Sequence, residues 1–156
     1  MKHMRRFKWT IVLFALFAFT TCVKVEPEND EKEIERVNVT KIKLTYDNKV
    51  ILVEMLDNHS ANDFLSLLPL ELPFEDYNQT EKTTSLPSKL STENAPSGMT
   101  PKTGDFSYYA PWGNLAVYYK DFSYSTGVIQ LGTLVEGLDY LSKIEDGTIV
   151  TIELYE

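Results

Sequence analysis

Residues that build reactive sites are scarce in this chain of 156 residues. Cys22 is the only cysteine, and His3 and His59 are the only histidines, so zinc and iron–sulfur sites are not expected. The sequence also lacks a Gly-x-Ser-x-Gly nucleophile elbow and a glycine-rich loop that could cradle phosphate. We therefore predict no metal, no cofactor and no catalytic residue. His59 is expected to be a polar loop residue, because it has no nucleophile to activate.

The first 21 residues have the order of regions found in a secretory signal peptide. Four basic residues, Lys2, Arg5, Arg6 and Lys8, precede the apolar run IVLFALFAF at positions 11–19. This run is shorter than the roughly 20 residues that a membrane span needs. Residues 1–21 are therefore predicted to be a signal peptide, and the protein to be exported.

The residues around Cys22 resemble the lipobox of bacterial lipoproteins, whose cysteine is lipidated and becomes the new N-terminus. Phe19 and Thr21 depart from the pattern, which prefers Leu and a small residue at these places. The alternative is an ordinary signal peptide with an incidental thiol. We favour lipidation of Cys22, because a lone cysteine in an exported chain cannot form an internal disulfide. The expected location is then the cell envelope, with the protein anchored to a membrane.

Residues 22–38 are predicted to be a flexible tether after the lipidated cysteine. The stretch VKVEPENDEKEIER, positions 23–36, is highly charged and contains neither an aromatic residue nor a long apolar run. Such a composition favours a solvated, extended chain. It would hold the following domain away from the membrane surface.

The charge of the chain excludes one class of partner. The net charge is -8, and it would be about -12 after loss of the four basic residues that precede Cys22. Nucleic-acid binding requires stripes of lysine and arginine that neutralise phosphates, so nucleic acid is not an expected partner. Solubility is the simplest consequence of an acidic surface.

Residues 39–156 show the pattern of a mainly β domain. About eight strands are predicted, at 39–46, 50–56, 70–77, 80–86, on both sides of Pro111-Trp112-Gly113, at 128–134 and at 148–155. Several alternate apolar and polar residues, which is typical of half-buried antiparallel strands. The absence of a β-α-β rhythm favours a sandwich or a closed barrel. We favour the barrel, because closure removes exposed sheet edges.

Two short helices are predicted to cap the barrel. In the first, residues 60–68, Ser60 is expected to be the N-cap and Asp63 to complete a capping box. In the second, residues 137–144, three apolar residues are expected to face inward: Leu138, Leu141 and Ile144. Pro73 interrupts the third strand and predicts an edge or a bulge there.

Aromatic residues supply the candidate ligand-binding surface. The candidates are Phe74, Tyr77, Tyr109, Trp112 and Tyr119. The alternative is that these rings fill the core or cover its rim, as large aromatics in small β proteins often do. Glu75 and Asp76 are adjacent on a strand and should point to opposite faces, so a solvated acidic edge is expected rather than an acid–base pair.

At the level of whole segments, the chain resembles bacterial cyclophilin-like domains of uncharacterised function. The likeness runs from about Lys41 to the C-terminus, and its most specific parts are the segments DFLSLLPL and PWGNLAVYYKDF. It implies a closed cyclophilin-like antiparallel β-barrel with short capping helices. Some members occur beside or fused to flavodoxin-like proteins, which implies a possible flavodoxin-like redox partner.

The sequence departs from true cyclophilins at the residue that catalyses prolyl isomerisation. Those enzymes use an arginine in a Phe-His-Arg context, whereas the only arginines here are Arg5, Arg6 and Arg36, all before the predicted barrel. A lysine does not reproduce the fork of donors that the arginine supplies. We therefore expect a membrane-tethered binding module for an extended peptide or small ligand. The alternative is an enzyme, either a degenerate isomerase or an accessory to a flavodoxin-like protein.

Overall fold

Eight antiparallel strands close into a barrel in the computed structural model, which describes residues 39–156. They are β1 (Lys41–Tyr46), β2 (Lys49–Met55), β3 (Leu70–Tyr77), β4 (Glu81–Ser85), β6 (Asp105–Tyr109), β7 (Asn114–Tyr118), β9 (Val128–Glu136) and β10 (Thr148–Leu154). The order around the barrel is β1-β10-β3-β4-β7-β6-β9-β2. Two short strands, β5 (Gly98–Met99) and β8 (Ser125–Thr126), pair separately.

This architecture confirms the predicted fold class, a mainly β closed barrel of eight strands with two short helices. The predicted signal peptide, residues 1–21, and the predicted tether with Cys22, residues 22–38, lie outside the described residues. Within residues 39–156, no helix combines the length and the apolar character that crossing a membrane requires.

The first hairpin shows how local sequence sets the barrel. Asp47 and Asn48 both have positive φ angles, 44° and 60°, which is the geometry of a two-residue hairpin turn that these side chains tolerate. In β1, Ile42 and Leu44 are completely buried in the core, whereas Lys43 lies on the outer face and pairs with Glu153 at 3.2 Å. The alternation read from the sequence is therefore present.

Helix α1 (His59–Leu65) begins at a different cap from the one predicted. Asn58 is the N-cap, and its Oδ1 accepts a hydrogen bond from the Ala61 backbone N–H at 2.8 Å. Ser60 is buried inside the first turn, where its hydroxyl donates to the Ser91 carbonyl at 2.6 Å, and the Asp63 carboxylate accepts from the Ser91 N–H at 2.7 Å. The predicted Ser60 cap and capping box are therefore wrong, because both side chains bind the 87–97 loop instead.

Helix α2 (Leu138–Leu141) is only one turn long. Leu141 and Ile144 are buried in the core, but Leu138 is exposed, so the prediction that all three face inward is wrong for Leu138. The reason is the length of the helix. Helical spacing places residues on one face only while the helix lasts, and this helix ends before Ile144.

Pro73 lies in a strand with two neighbours but has a backbone partner on only one side. β3 pairs with β10 over Leu70–Phe74 and with β4 over Glu75–Tyr77. Proline lacks the N–H that a second ladder would need, so it is tolerated where the β4 ladder has not yet begun. The predicted edge position is correct locally, although β3 as a whole lies inside the closed barrel.

The central hairpin, β6 and β7 joined at residues 110–113, is buried on both faces rather than half-buried. Its inner face packs into the barrel core. On the outer face, Ala116 and Tyr118 are buried beneath Val128 and the partly buried Met99 and Phe122. Residues 98–99 and 122–128, which flank the hairpin in sequence, therefore cover part of the barrel wall, and residues 122–128 form one side of the cavity described next.

Candidate functional site

A cavity of about 340 Å³ opens on the outer face of β4 and β7. Its floor is formed by outward-pointing residues of these paired strands, Glu81 and Thr83 from β4 and Asn114 and Tyr118 from β7. Glu81 lies directly opposite Tyr118 in the ladder. Because alternate strand residues share a face, the floor residues are spaced by even numbers along each strand.

Trp112 forms one wall of the cavity and packs against two tyrosines. The centroid of the Trp112 ring lies 5.2 Å from that of Tyr109 and 5.8 Å from that of Tyr77, in edge-to-face geometry in both cases. The turn that carries Trp112 closes through a 2.9 Å hydrogen bond from the Gly113 N–H to the Tyr109 carbonyl, with Gly113 at φ 75°. Trp112 nevertheless remains 63% exposed.

The opposite wall comes from the segment that covers the central hairpin. Phe122, Ser125, Thr126 and Val128 line this side of the cavity. Ser125 and Thr126 form β8, which is held by its pairing with β5. The cavity therefore lies between the barrel wall, the tip of the central hairpin and the covering segment.

The structure brings together three of the five predicted aromatic residues, Tyr77, Tyr109 and Trp112. Phe74 is wrong as a groove residue, because it is completely buried in the barrel core. Tyr119 also lies elsewhere, with its ring near Lys82 and its hydroxyl donating to Asp76 at 2.6 Å. Alternation along the strands could have excluded Phe74 and Tyr119 from the cavity. Phe74 and Tyr77 are three residues apart and so lie on opposite faces of β3. Tyr119 lies two residues after the core residue Val117 and so shares its inner face.

Sequence reasoning missed Glu81, the only charged side chain in the lining of the cavity. Glu81 is 8% exposed. Burial is the main cause that raises the pKa of its carboxyl group. The neighbouring Tyr118 hydroxyl lowers the pKa, and the negative charge of Asp76 raises it further. The pKa of the Tyr118 hydroxyl is also raised, first by burial and then by Glu81. No sequence motif marks this pair, since it depends on which strands are neighbours.

Asn114 presents an unused hydrogen-bond acceptor. Its Nδ2 donates to the Thr83 hydroxyl oxygen and, at 3.3 Å, to the Leu115 carbonyl. The Thr83 hydroxyl donates its proton to the Leu115 carbonyl at 2.7 Å. The Thr83 oxygen and the Leu115 carbonyl can therefore only accept from Asn114, so the N–H₂ end of the amide must point toward them. Asn114 Oδ1 is therefore directed away from them. It is buried without a partner among the described residues.

A network of hydrogen-bonded charged groups lies on the inner face of β3 and β4. The Lys82 ammonium lies 2.8 Å from Asp76 Oδ2, which also accepts the Tyr119 hydroxyl, and Asp76 Oδ1 accepts the Gln79 N–H at 2.9 Å. These contacts outweigh desolvation, the largest single influence, and lower the pKa of Asp76. The predicted solvated acidic edge is therefore wrong for Asp76, whereas Glu75 is exposed on the other face.

Within residues 39–156, no group of three or more histidine, cysteine, aspartate or glutamate side chains is arranged to hold a metal ion. His59 is the first residue of α1 and lines a second depression, of about 400 Å³, with Asn58, Ser60 and the 93–96 loop. In that depression the side chains of Asn58 and Ser60 are bound to backbone carbonyl groups. The aromatic cavity is therefore the better candidate site.

Comparison with known proteins finds a matching family model and a similar fold. The model of the cyclophilin-like family matches residues 44–153. The solution structure of a hypothetical protein from Archaeoglobus fulgidus superposes with a TM-score of 0.56 at 16% sequence identity, covering 78% of this chain and 98% of that one. At this identity the likeness concerns the fold alone. No curated protein matches the sequence.

Proposed function

This chain belongs to the cyclophilin-like family, and on that premise we propose that it is a non-catalytic binding module. Its ligand is an extended peptide or a small molecule that enters the cavity beside Trp112. The observation that carries this proposal is a largely exposed tryptophan, held edge-on by Tyr77 and Tyr109 at the mouth of a cavity. Exposed aromatic anchors that are already held in position are typical of binding sites, since little side-chain entropy remains to be lost.

The composition of residues 39–156 supports binding without prolyl isomerisation. This part of the chain contains no arginine. Isomerisation of a prolyl bond is accelerated by donors placed where the amide loses its resonance, and a guanidinium supplies several in one plane. The charged side chain in the cavity is Glu81, a carboxylate that cannot take this role when ionised.

The binding proposal can be tested with an array of random octapeptides and the full chain. We expect a subset of peptides to be captured, and Trp112→Ala to weaken their capture at least tenfold, as removal of an aromatic anchor does. The free energy of unfolding should change by less than about 1 kcal/mol, because most of the ring is exposed. Tyr155→Ala, which removes an exposed ring outside this cavity, serves as the matched control.

Two results would contradict the binding proposal. One is an array on which no peptide is captured above background. The other is a Trp112→Ala variant that captures the same peptides as the unchanged protein.

The proposal includes a membrane tether through lipidated Cys22. It is supported by the basic and apolar order of residues 1–21, by the lipobox-like residues before Cys22 and by the charged segment that follows. When the full chain is expressed in a bacterium that processes lipoproteins, it should incorporate labelled fatty acid and sediment with membranes. Cys22→Ser should abolish labelling and release the protein, whereas unchanged sedimentation of Cys22→Ser would contradict the tether.

A further inference from the structure

We propose that the ligand of the aromatic cavity carries a basic group, a primary ammonium or a guanidinium such as that of a lysine or arginine side chain in a peptide. This inference rests on the proposed binding function and specifies the chemistry of its ligand. Three features of the cavity support it: an uncompensated carboxylate, aromatic walls and an unused acceptor.

The carboxylate is that of Glu81. Among residues 39–156 the ion pairs are Lys41–Glu54, Lys43–Glu153, Lys82–Asp76 and Lys102–Asp121, and none of them includes Glu81. A nearly buried carboxylate without a cation is costly, and the neighbouring Tyr118 hydroxyl compensates it only in part. A ligand that brings a positive charge would supply the missing partner. An anionic ligand would meet repulsion from the only charge in the lining.

The walls favour the same kind of ligand. Tyr77, Tyr109 and Trp112 form one aromatic side of the cavity, and no lysine or arginine lines it. Aromatic rings attract ammonium and guanidinium groups through the negative charge on their faces, and tryptophan does so most strongly. A cavity lined by aromatic rings and a carboxylate should therefore bind a cationic ligand group more tightly than a neutral apolar one.

The unused acceptor selects ligands that donate hydrogen bonds. Asn114 is only 7% exposed and lines the cavity, and its Oδ1 atom is itself buried and has no partner among the described residues. Two other buried side-chain oxygens lack partners in residues 39–156, those of Thr84 and Ser107, but neither residue lines the cavity. Lysine and arginine side chains, together with a peptide backbone, carry several N–H donors and no side-chain acceptor. A basic group can pair with Glu81 directly, whereas Asn114 Oδ1, which is not accessible to solvent in this structure, accepts a second N–H only after the amide turns toward the cavity.

The size of the cavity and the charge of the domain agree with this ligand. A volume of about 340 Å³ lies at the lower end of the range for ligand pockets, so it suits one side chain and its backbone rather than a large cofactor. Residues 39–156 contain eight lysines against seventeen aspartates and glutamates, a net charge of -9. Such a field attracts cationic ligands and repels anionic ones.

The test uses three defined compounds, titrated calorimetrically into the full chain. They are Nα-acetyl-lysine-N-methylamide, its arginine counterpart and its norleucine counterpart, which is nearly isosteric with lysine but neutral. We expect the lysine or arginine compound to bind at least tenfold more tightly than the norleucine compound. Glu81→Gln should weaken binding of the basic compound about ten- to hundredfold, the cost of losing a charge-assisted contact.

A matched control separates the local role of Glu81 from the overall charge of the domain. Glu71→Gln removes the same charge from an exposed position on β3 outside the cavity, and it should change the affinity less than twofold. The effect of Glu81→Gln on the norleucine compound should be equally small. If Glu81→Gln does not fold, the comparison of the three compounds on the unchanged protein decides the question.

The outcomes distinguish this inference from the binding proposal on which it rests. If the norleucine compound binds as tightly as the lysine compound, the preference for a basic group is refuted while the cavity remains a binding site. If none of the three compounds binds, or if Glu81→Gln leaves the affinity for the basic compounds unchanged, the inference is also refuted. In either case the peptide array with Trp112→Ala still decides whether the cavity binds anything.

Discussion

Two adjacent residues of β4, Glu81 and Lys82, illustrate opposite ways of placing a charge in a small barrel. Lys82 points to the inner face, where its ammonium meets the Asp76 carboxylate at 2.8 Å. Glu81 points to the outer face, where its carboxyl has a tyrosine partner but no cation among the described residues. Both side chains are more than nine-tenths buried.

The difference lies in hydrogen-bond satisfaction rather than in burial. On the inner face, Asp76 accepts from an ammonium, a hydroxyl and a backbone N–H, and its pKa is lowered. On the outer face, the pKa of Glu81 is raised. A satisfied network stabilises the fold and has little capacity left for a ligand, whereas an unsatisfied one costs stability and retains that capacity.

The largest expected effect comes from removing the carboxylate of the inner network. Asp76→Ala leaves the Lys82 ammonium buried without a counter-charge and should lower the free energy of unfolding by about 2–4 kcal/mol. Urea denaturation measures this loss. Glu153→Ala is the matched control, since Glu153 pairs with Lys43 at 3.2 Å in an exposed position, and its effect should be much smaller.

The double variant Asp76→Leu, Lys82→Met tests whether the penalty is that of an orphaned charge. Replacing both members of a buried ion pair by apolar residues is often close to neutral, so stability should return to within about 1 kcal/mol of the unchanged protein. A double variant as unstable as Asp76→Ala would show that Asp76 acts through its other contacts, such as the hydrogen bond from the Gln79 N–H.

Removing one donor from the inner network should cost less. Tyr119→Phe deletes the 2.6 Å hydrogen bond to Asp76 and is expected to lower the free energy of unfolding by about 1–2 kcal/mol in the same assay. Burial and this bond raise the pKa of Tyr119 to about 12, so the hydroxyl remains a donor throughout the neutral range. A loss no larger than that of Tyr124→Phe, whose hydroxyl is exposed, would contradict the network.

On the outer face, removing a charge is expected to stabilise the protein rather than destabilise it. Glu81→Gln should raise the free energy of unfolding at pH 7 by about 0.5–2 kcal/mol, because glutamine keeps an acceptor for Tyr118 without a desolvated charge. If the variant is instead destabilised, the carboxylate is better compensated than the structure indicates. A variant that is more stable but binds basic compounds less well would show that the Glu81 carboxylate lowers the stability of the fold and contributes to binding.

The difference in stability between Glu81→Gln and the unchanged protein should also depend on pH. A raised pKa in the folded state means that the contribution of Glu81 to stability is full below about its ordinary value of 4.5 and is lost as the pH rises through the folded value. Glutamine does not titrate, so the advantage of Glu81→Gln should vanish near pH 4 and reach its full size above the folded pKa. A constant difference between pH 4 and pH 8 would exclude titration of Glu81 as its cause.

Asp76 should show the reverse dependence. Its pKa is lowered from 3.8, so its contribution is present above that value and is lost as the pH falls through the folded pKa. Asp76→Asn should therefore remove part of the acid sensitivity of the protein. Denaturation curves between pH 2 and pH 5 measure this effect.

Much of the barrel could be predicted because strand periodicity and turn chemistry are local. Asp47-Asn48 marks the first hairpin, and Pro111 with Gly113 marks the central one, whichever strands later become their neighbours. The caps and ends of the helices were less predictable. Asn58 rather than Ser60 caps α1 because Ser60 bonds to Ser91, which is 31 residues away in the chain.

The candidate site was predictable only in part. The aromatic tip with Tyr109 and Trp112 follows from a turn in a single hairpin, and Tyr77 joins it from the end of β3. Parity along the strands could have excluded Phe74 and Tyr119. The role of Glu81 could not be read from the sequence, because it depends on the pairing of β4 with β7 and on the segment that covers them.

The sequence by itself determined the number of barrel strands, two of their turns and the exposed aromatic tip, since these depend on residues close together in the chain. The tertiary structure decided which charges are compensated. Strand order places Asp76 against Lys82 on one face of the wall and leaves Glu81 and Asn114 in the lining of a cavity on the other. The physical reason is that compensation of a buried charge requires a partner within a few ångströms, and only the closed barrel brings such residues together.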